Sequence, residues 1–441
     1  MAINSRLCDL TATKKQLRRI NMDRRNFVKI GASAAALSSI NVFAKNPKGA
    51  NDTINVALIG CGGRGRGAAA NALNADQNTK LVAIADLFPE RLNDAVNRLK
   101  NYGERSKIPT SKQFSGFDAY QKVMALPEVD VVILTTPPHF RPLHIEAAVK
   151  ANKHIFAEKP LAVDPAGIKK VMNAVRECEE KGLTFVCGFC YRYDKKKIET
   201  MKQIQSGAIG EVKNIQCSYN TGGLWMHPRQ ENWSDMEWQM RNWLYFTWLS
   251  GDHIVEQGIH NVDKMGWVAG DIAPEYAYGM GGRQTRVDQA YGHVYDHFSI
   301  QYKFKTGLYA NFTCRQQKGT DSAVTDMIIG TEGTADLMRH KIYDKDGKSI
   351  WRFKGPAVNM YDAEHMEIMK GLRSGKVANN AKSSINSTAM GIMGRMSGYT
   401  GKRVTWDMFM KSNEDLSPKK YDLTASIDMP KVAKPGITPF V

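Results

Sequence analysis

Ile54-Asn55-Val56-Ala57-Leu58-Ile59 is a near-continuous apolar run that leads without a spacer into Gly60-Cys61-Gly62-Gly63-Arg64-Gly65. A short apolar run bounded by glycine predicts a strand buried on both faces, the kind found in parallel sheets. The Ala-rich stretch Arg66–Leu73 that follows predicts a helix. Strand, Gly-x-Gly-x-x-Gly and helix in that order constrain the chain to a doubly wound α/β fold. The glycines allow a tight turn and close approach of backbone to a pyrophosphate, and the helix start supplies aligned N–H groups. Gly60, Gly62, Gly63, Arg64 and Gly65 are therefore expected to hold a dinucleotide. A second strand, Lys80–Ala85, ends in Asp86, 26 residues after Gly60. A carboxylate there accepts hydrogen bonds from the free ribose hydroxyls of NAD and repels the extra phosphate of NADP.

Val129–Leu134 is the next predicted strand, ending in Thr135-Thr136-Pro137-Pro138-His139. Residues 142–150 read as a helix, and His154–Ala157 as a strand ending in Glu158-Lys159-Pro160. Open α/β sheets bind ligands at the carboxyl ends of their strands. Thr136, Pro137, His139, Glu158 and Lys159 accordingly join the expected cofactor set. After Phe189 the pattern changes. Strand-like segments at Val212–Tyr219, Asp296–Phe304, Gly307–Cys314, Asp326–Ile329 and Ala335–Met338 predict an α+β domain with a large, mostly antiparallel sheet. Met360–Leu372 reads as a later helix. The expected organisation is a leader (1–44), a Rossmann domain (51–190), a substrate and oligomerisation domain (191–410), and an extended polar tail (411–441).

A chain of 441 residues has room for two or three such domains. Its net charge of +17 is no nucleic-acid signature: residues 1–44 carry +6 of it, and the remaining +11 is spread without a block. No apolar run after the leader reaches transmembrane length. The seven cysteines form no dense disulfide framework. Cys187 and Cys190 make a C-x-x-C at a strand end, where small buried residues are the simpler reading. No histidine or cysteine spacing predicts a metal site.

Asp23-Arg24-Arg25-Asn26-Phe27-Val28-Lys29 precedes a mildly apolar, Ala-rich stretch and then Val42-Phe43-Ala44, a small-residue cleavage site. The arginine pair resembles a twin-arginine export signal, which predicts a periplasmic protein carried out folded. Met22 is the more natural start. NAD is made in the cytoplasm, so an exported protein needs to hold its cofactor tightly and recycle it in place.

The order of Gly60–Gly65, Asp86, Thr136-Pro137, Lys153-His154…Glu158-Lys159-Pro160-Leu161 and Gly251–Asp263 resembles the Gfo/Idh/MocA oxidoreductase family. The similarity runs from about residue 53 to at least 340 and points to the exported, sugar-active branch that includes glycoside hydrolase family 109. The resemblance implies that Lys159 lies by the nicotinamide and the reacting hydroxyl. It implies that His260 is the general base or its partner, and that Tyr191, Arg192 and Tyr193 contact substrate. Many members have Asp four residues before that His. This chain has Glu256, which is expected to orient His260 from one helical turn away.

Five of the eight tryptophans fall between Trp225 and Trp248. Indoles suit the apolar face of a sugar ring, which makes Trp225 and Trp243 candidate substrate contacts. The expected activity is hydride transfer between a secondary hydroxyl of a sugar or glycoside, at C3 by the resemblance, and tightly bound NAD. A glycosidase using the same oxidation transiently and a non-catalytic NAD-containing sugar-binding protein are the alternatives. The expected partners are the sugar and, by resemblance, further copies of the chain.

Overall fold

The computed structural model describes residues 47–441. The leader, with its arginine pair, lies outside the described residues. Six parallel strands make the first sheet: β1 (Ile54–Ile59), β2 (Thr79–Asp86), β3 (Gln113–Ser115), β4 (Val131–Leu134), β5 (His154–Ala157) and β6 (Phe185–Cys187). Their order, β3-β2-β1-β4-β5-β6, reverses between β1 and β4 and so opens a ligand crevice at the carboxyl ends of those two strands. The central strands are apolar at almost every position because helices cover both faces. β4 and β5 are buried throughout.

The second sheet has nine strands: β7 (Val212–Thr221), β8 (Tyr276–Gly282), β9 (His297–Lys303), β10 (Tyr309–Gln316), β11 (Ala323–Gly330), β12 (Gly333–Asp336), β13 (Lys341–Asp344), β14 (Ser349–Arg352) and β15 (Val404–Thr405). Every pairing is antiparallel except β7 with β10, so the expected α/β plus α+β architecture is what the chain adopts. Along β9 and β10 buried and more exposed residues alternate, as in a sheet with one covered face.

The helix Ala381–Thr400 covers that face and has no counterpart in the sequence reading. It is buried almost all round, so it carries no amphipathic stripe to read. Small residues let it lie against the sheet: a Cβ on Gly394 would sit 2.6 Å from the Tyr302 hydroxyl, and one on Gly398 2.8 Å from the Phe298 ring. β8 was equally hidden. Its glycines lower strand propensity, yet a side chain on Gly279 would meet the Ser299 carbonyl at 2.1 Å.

The helix Met360–Ser374 lies against the Rossmann half. Its Ile368, Met369 and Leu372 belong to the same apolar cluster as Ile54, Val56 and Leu58 of β1. His365 of this helix is 1% exposed and packs on Phe156 with ring centroids 4.2 Å apart. Burial pushes its pKa down from 6.5 to about 3. Between those values the unfolded chain binds a proton that the fold refuses. This contribution to stability is therefore complete above the unfolded value and is lost as pH falls towards the folded one. His365→Phe is expected to flatten the acid side of the stability profile by up to about 1.4 kcal/mol per pH unit. Denaturant midpoints across that window measure it, and an unchanged slope means that the imidazole protonates within the fold.

Residues 412–441 contain no helix or strand. They form a strap across the molecule. The Leu416 amide donates to Asp164 Oδ2 at 2.9 Å, the Met236 amide to the Ala425 carbonyl at 3.2 Å, and the Ser426 hydroxyl to Asp235 Oδ2 at 2.6 Å. Among the described residues no helix is long and apolar enough to cross a membrane. The six described cysteines are free and buried, Cys187 and Cys190 included.

Candidate active site

The glycine turn joins β1 to the helix Gly63–Ala75. Gly60 has φ +99°, and a Cβ there would lie 2.6 Å from the Thr136 amide nitrogen. A Cβ on Gly65 would lie 1.9 Å from the Gly60 carbonyl oxygen, so the helix can start this close to β1 only with glycine at that position. No side chain caps the helix, which leaves its first N–H groups for a ligand. Asp86 ends β2 with its carboxylate held by the amides of Cys61 (2.6 Å) and Phe88 (3.0 Å). Burial raises its pKa, and nearby Arg91 opposes that shift.

A cleft of about 530 Å³ opens here. Gly60, Gly62, Gly63, Arg64, Gly65, Asp86, Thr136 and Pro137 all line it. The uncapped helix start, the glycine cradle and the strand-end acid fit a dinucleotide diphosphate with an unphosphorylated ribose. His139 does not join them. The short 3₁₀ turn Pro138–Phe140 carries it to the strap, where Nε2 pairs with the Tyr421 hydroxyl at 2.7 Å and the ring meets Trp248 edge-on. His144, one turn into the next helix, lines the cleft instead. Its imidazole is held neutral by burial, with a pKa pushed down to about 3.

Arg64 turns its guanidinium to two carboxylates: Nε to Glu158 at 2.5 Å and Nη2 to Glu364 at 2.9 Å. That ties the glycine turn to the end of β5 and to the helix Met360–Ser374. Glu158 thus reaches the cofactor region through Arg64. Glu364 escaped the sequence reading because its partner lies 300 residues away.

Lys159 follows Glu158, and its ammonium donates to the main-chain carbonyl of Glu256. The same cation acts on His260. Burial drives the His260 pKa well below its usual value, and Lys159, Lys264 and Arg64 push it further down. The imidazole is therefore neutral, and its Nδ1 is buried without a hydrogen-bond partner. Tyr191 meets the His260 ring at 5.2 Å, and the Lys197 and Lys264 ammonium groups lie 4.7 and 4.6 Å from the Tyr191 ring centroid. Lys159, Tyr191, Glu256 and His260 thus converge.

Three expectations need correction. Glu256 does not orient His260. The helix His253–Glu256 ends, and Ile259–Val268 begins anew after Gly258, so the two residues are not one turn apart on a single helix. The Glu256 carboxyl is buried with Oε1 unpartnered, and burial raises its pKa. Arg192 spends its guanidinium on Asp263 (2.9 Å) and Asp271 (2.6 Å). The Tyr193 hydroxyl accepts from Asn380 Nδ2 at 3.2 Å, and its ring packs on the Rossmann core. Both residues brace the site from behind.

Asp252 is a support that sequence reasoning missed. At φ +72° it collects four donors: the His253 amide (2.5 Å) and Nδ1 (2.8 Å), the Tyr295 amide (2.8 Å) and the Tyr399 hydroxyl (2.6 Å). It fixes the turn that leads to Glu256 and His260. Its position after Gly251 in Gly251-Asp252-His253 was the available signal.

Residues 54–189 match the family model "Oxidoreductase family, NAD-binding Rossmann fold", and residues 198–336 match "GFO/IDH/MocA C-terminal domain". The chain is 25% identical over 259 residues to 2,7-anhydro-N-acetylneuraminate hydratase of Escherichia coli (strain K12), covering 58% of this chain and 60% of that protein. It is 22% identical over 335 residues to inositol 2-dehydrogenase of Acidothermus cellulolyticus, covering 74% and 86%. Other curated relatives are matched over between 44% and 54% of their own length. The crystal structure of aldose-aldose oxidoreductase from Caulobacter crescentus, 19% identical, shares the fold with a TM-score of 0.63 over 80% of this chain and 99% of that one. With both domains matched and the glycine turn, Asp86 and the Glu158-Lys159-Pro160 strand end in place, the chain belongs to the Gfo/Idh/MocA oxidoreductase family and has its NAD-binding Rossmann domain.

Proposed function

We propose that the protein oxidises a secondary hydroxyl of a sugar or glycoside, at C3, using tightly held NAD, and works in the periplasm. The observation that carries this reading is the convergence of the Lys159 ammonium and the neutral His260 imidazole beyond the carboxyl end of β5. Oxidising an alcohol requires a base for the O–H proton while hydride leaves the carbon. NAD, when bound, supplies the hydride acceptor. His260, kept unprotonated by burial and its cationic neighbours, takes the proton. Lys159 donates to the hydroxyl oxygen and favours the alkoxide as it forms. The inositol dehydrogenase name of one relative supports a polyhydroxylated ring as substrate.

Purified protein titrated with a panel of glycosides tests this through the near-ultraviolet absorbance of NADH. The reading predicts growth of that band with a keto-sugar and no free aglycone. Aglycone release without net NADH would instead establish a redox-neutral glycosidase. Silence across the panel with NAD still bound would favour a sugar-binding protein. Export is tested separately. Replacing both Arg24 and Arg25 by lysine is expected to leave the protein in the cytoplasmic fraction, and unchanged periplasmic recovery would refute the route.

A further inference from the structure

The wall of the cleft facing the glycine turn comes from the second domain. Trp225, His227, Met240 and Trp243 line it together with Asp86, Phe88 and Arg91. The segment that carries them is fastened to the turn after β2, where the ribose-binding acid sits. Arg241 pairs with Glu90 at 2.8 Å, and its guanidinium lies 3.9 Å from the Phe88 ring centroid. Behind the wall, the buried Asn242 side chain grips both main-chain groups of His227: Oδ1 accepts from its amide at 2.8 Å, and Nδ2 donates to its carbonyl at 3.0 Å. The Tyr245 hydroxyl donates to the Trp225 carbonyl at 2.9 Å. The two indoles stand 6.5 Å apart, and Trp225 keeps 43% of its surface exposed.

These contacts put two indoles, tilted 59° to each other, on the cleft that Asp86 lines, where the ribose of the adenosine half belongs. Lys159 and His260 do not line that cleft. The strap adds a clasp from outside. It is bonded at Asp164 in the Rossmann half and at Ser234, Asp235 and Met236 beside the wall, while Tyr421 reaches His139.

We propose that Trp225 and Trp243 bind the adenosine half of NAD rather than the sugar, and that the C-terminal strap, by holding their segment against Phe88 and Glu90, slows release of the cofactor. An adenine ring offers an indole a full π-face, and a cationic Arg91 at the same cleft complements it. This inference rests on NAD binding alone and not on which sugar is oxidised.

The test measures cofactor directly. Protein loaded with NAD is diluted into an excess of an NAD-consuming enzyme, and the retained cofactor is followed with time. Trp225→Ala is the primary variant because its half-exposed side chain leaves no core cavity, and Trp243→Phe accompanies it. Trp225→Ala is expected to speed NAD release by roughly 10-fold, the scale of one lost aromatic–base stack. Affinity for AMP should fall in parallel, with affinity for nicotinamide mononucleotide unchanged. Tyr421→Phe combined with Ser426→Ala should speed release about threefold, the scale of a lost hydrogen bond, with a smaller fall in AMP affinity than Trp225→Ala, since those residues act through the wall. Release unchanged in that double variant would overturn the strap's part. Release within twofold of wild type in Trp225→Ala, with a raised KM for sugar, would overturn the proposal and return the indoles to the substrate. Equal losses of AMP and nicotinamide mononucleotide affinity would also overturn it, because the damage would then be general.

Discussion

Replacing Lys159 by methionine is expected to lower turnover by roughly 10²- to 10⁴-fold, the range for a positioned proton-handling group, with NAD affinity changed only a few-fold. Methionine keeps an unbranched side chain of similar reach but removes both the charge and the donor. The ammonium has two tasks. It bonds the Glu256 carbonyl, joining the end of β5 to the turn before His260, and it lies close enough to His260 to depress its pKa. Without the cation, His260 becomes more basic. The residual activity should therefore acquire a stronger dependence on pH on the acid side, as protonated imidazole accumulates nearer neutrality. Single-turnover rates across pH, read beside NAD titrations, separate the tasks. Turnover that falls only as far as NAD binding falls would mean that Lys159 merely holds the cofactor.

Gly65→Ala is expected to abolish NAD binding and lower the thermal midpoint by several degrees. The added methyl would sit 1.9 Å from the Gly60 carbonyl and 2.6 Å from Thr135 Oγ1. The nearer atom is backbone and cannot swing away. The start of the helix Gly63–Ala75 must therefore move outward, taking its N–H groups off the phosphate position. Overpacking of this kind costs roughly 1–3 kcal/mol even where side chains can yield. Gly63→Ala is the control for stability, because no protein atom lies within 4 Å of a Cβ there. Melting curves for the two variants should diverge, and calorimetry of Gly65→Ala reads the loss of NAD binding. Equal melting would show that the turn is looser than its geometry.

The parts of this site that could be read from the chain are those made by neighbours in sequence. The strand, glycine turn, helix and strand-end Asp86 fall within about thirty residues, and each has one local structural reason to be there. The joints between domains are not of that kind. Lys159 bonds a main-chain carbonyl 97 residues away, and a carbonyl has no residue signature. Arg192 has the same chemistry beside a sugar as beside Asp263 and Asp271, and only the fold brings those acids to it. His139 and His144 differ by where a 3₁₀ turn leaves the chain pointing, which spacing does not encode. Indoles pack in a core as well as on adenine or sugar, and Trp238 and Trp248 are core, so the aromatic cluster does not name a ligand. The helix Ala381–Thr400 was lost because a segment covered on every side needs no polar face.

The helix Met360–Ser374 changes what it means to call the first part of this chain a domain. Its Ile368, Met369 and Leu372 close the core beneath β1, each contributing about 1.5–3 kcal/mol of burial. The Phe185 amide of β6 bonds the Ala378 carbonyl at 2.9 Å, and the Cys187 amide bonds Asn380 Oδ1 at 2.8 Å. During synthesis, residues 54–190 leave the ribosome lacking side chains their own core requires, and must wait for residues 368–380. A gene cut after residue 190 would encode an open sheet edge and an uncovered apolar face. Any exchange of nucleotide-binding halves between relatives, natural or engineered, must therefore carry two separate stretches of coding sequence.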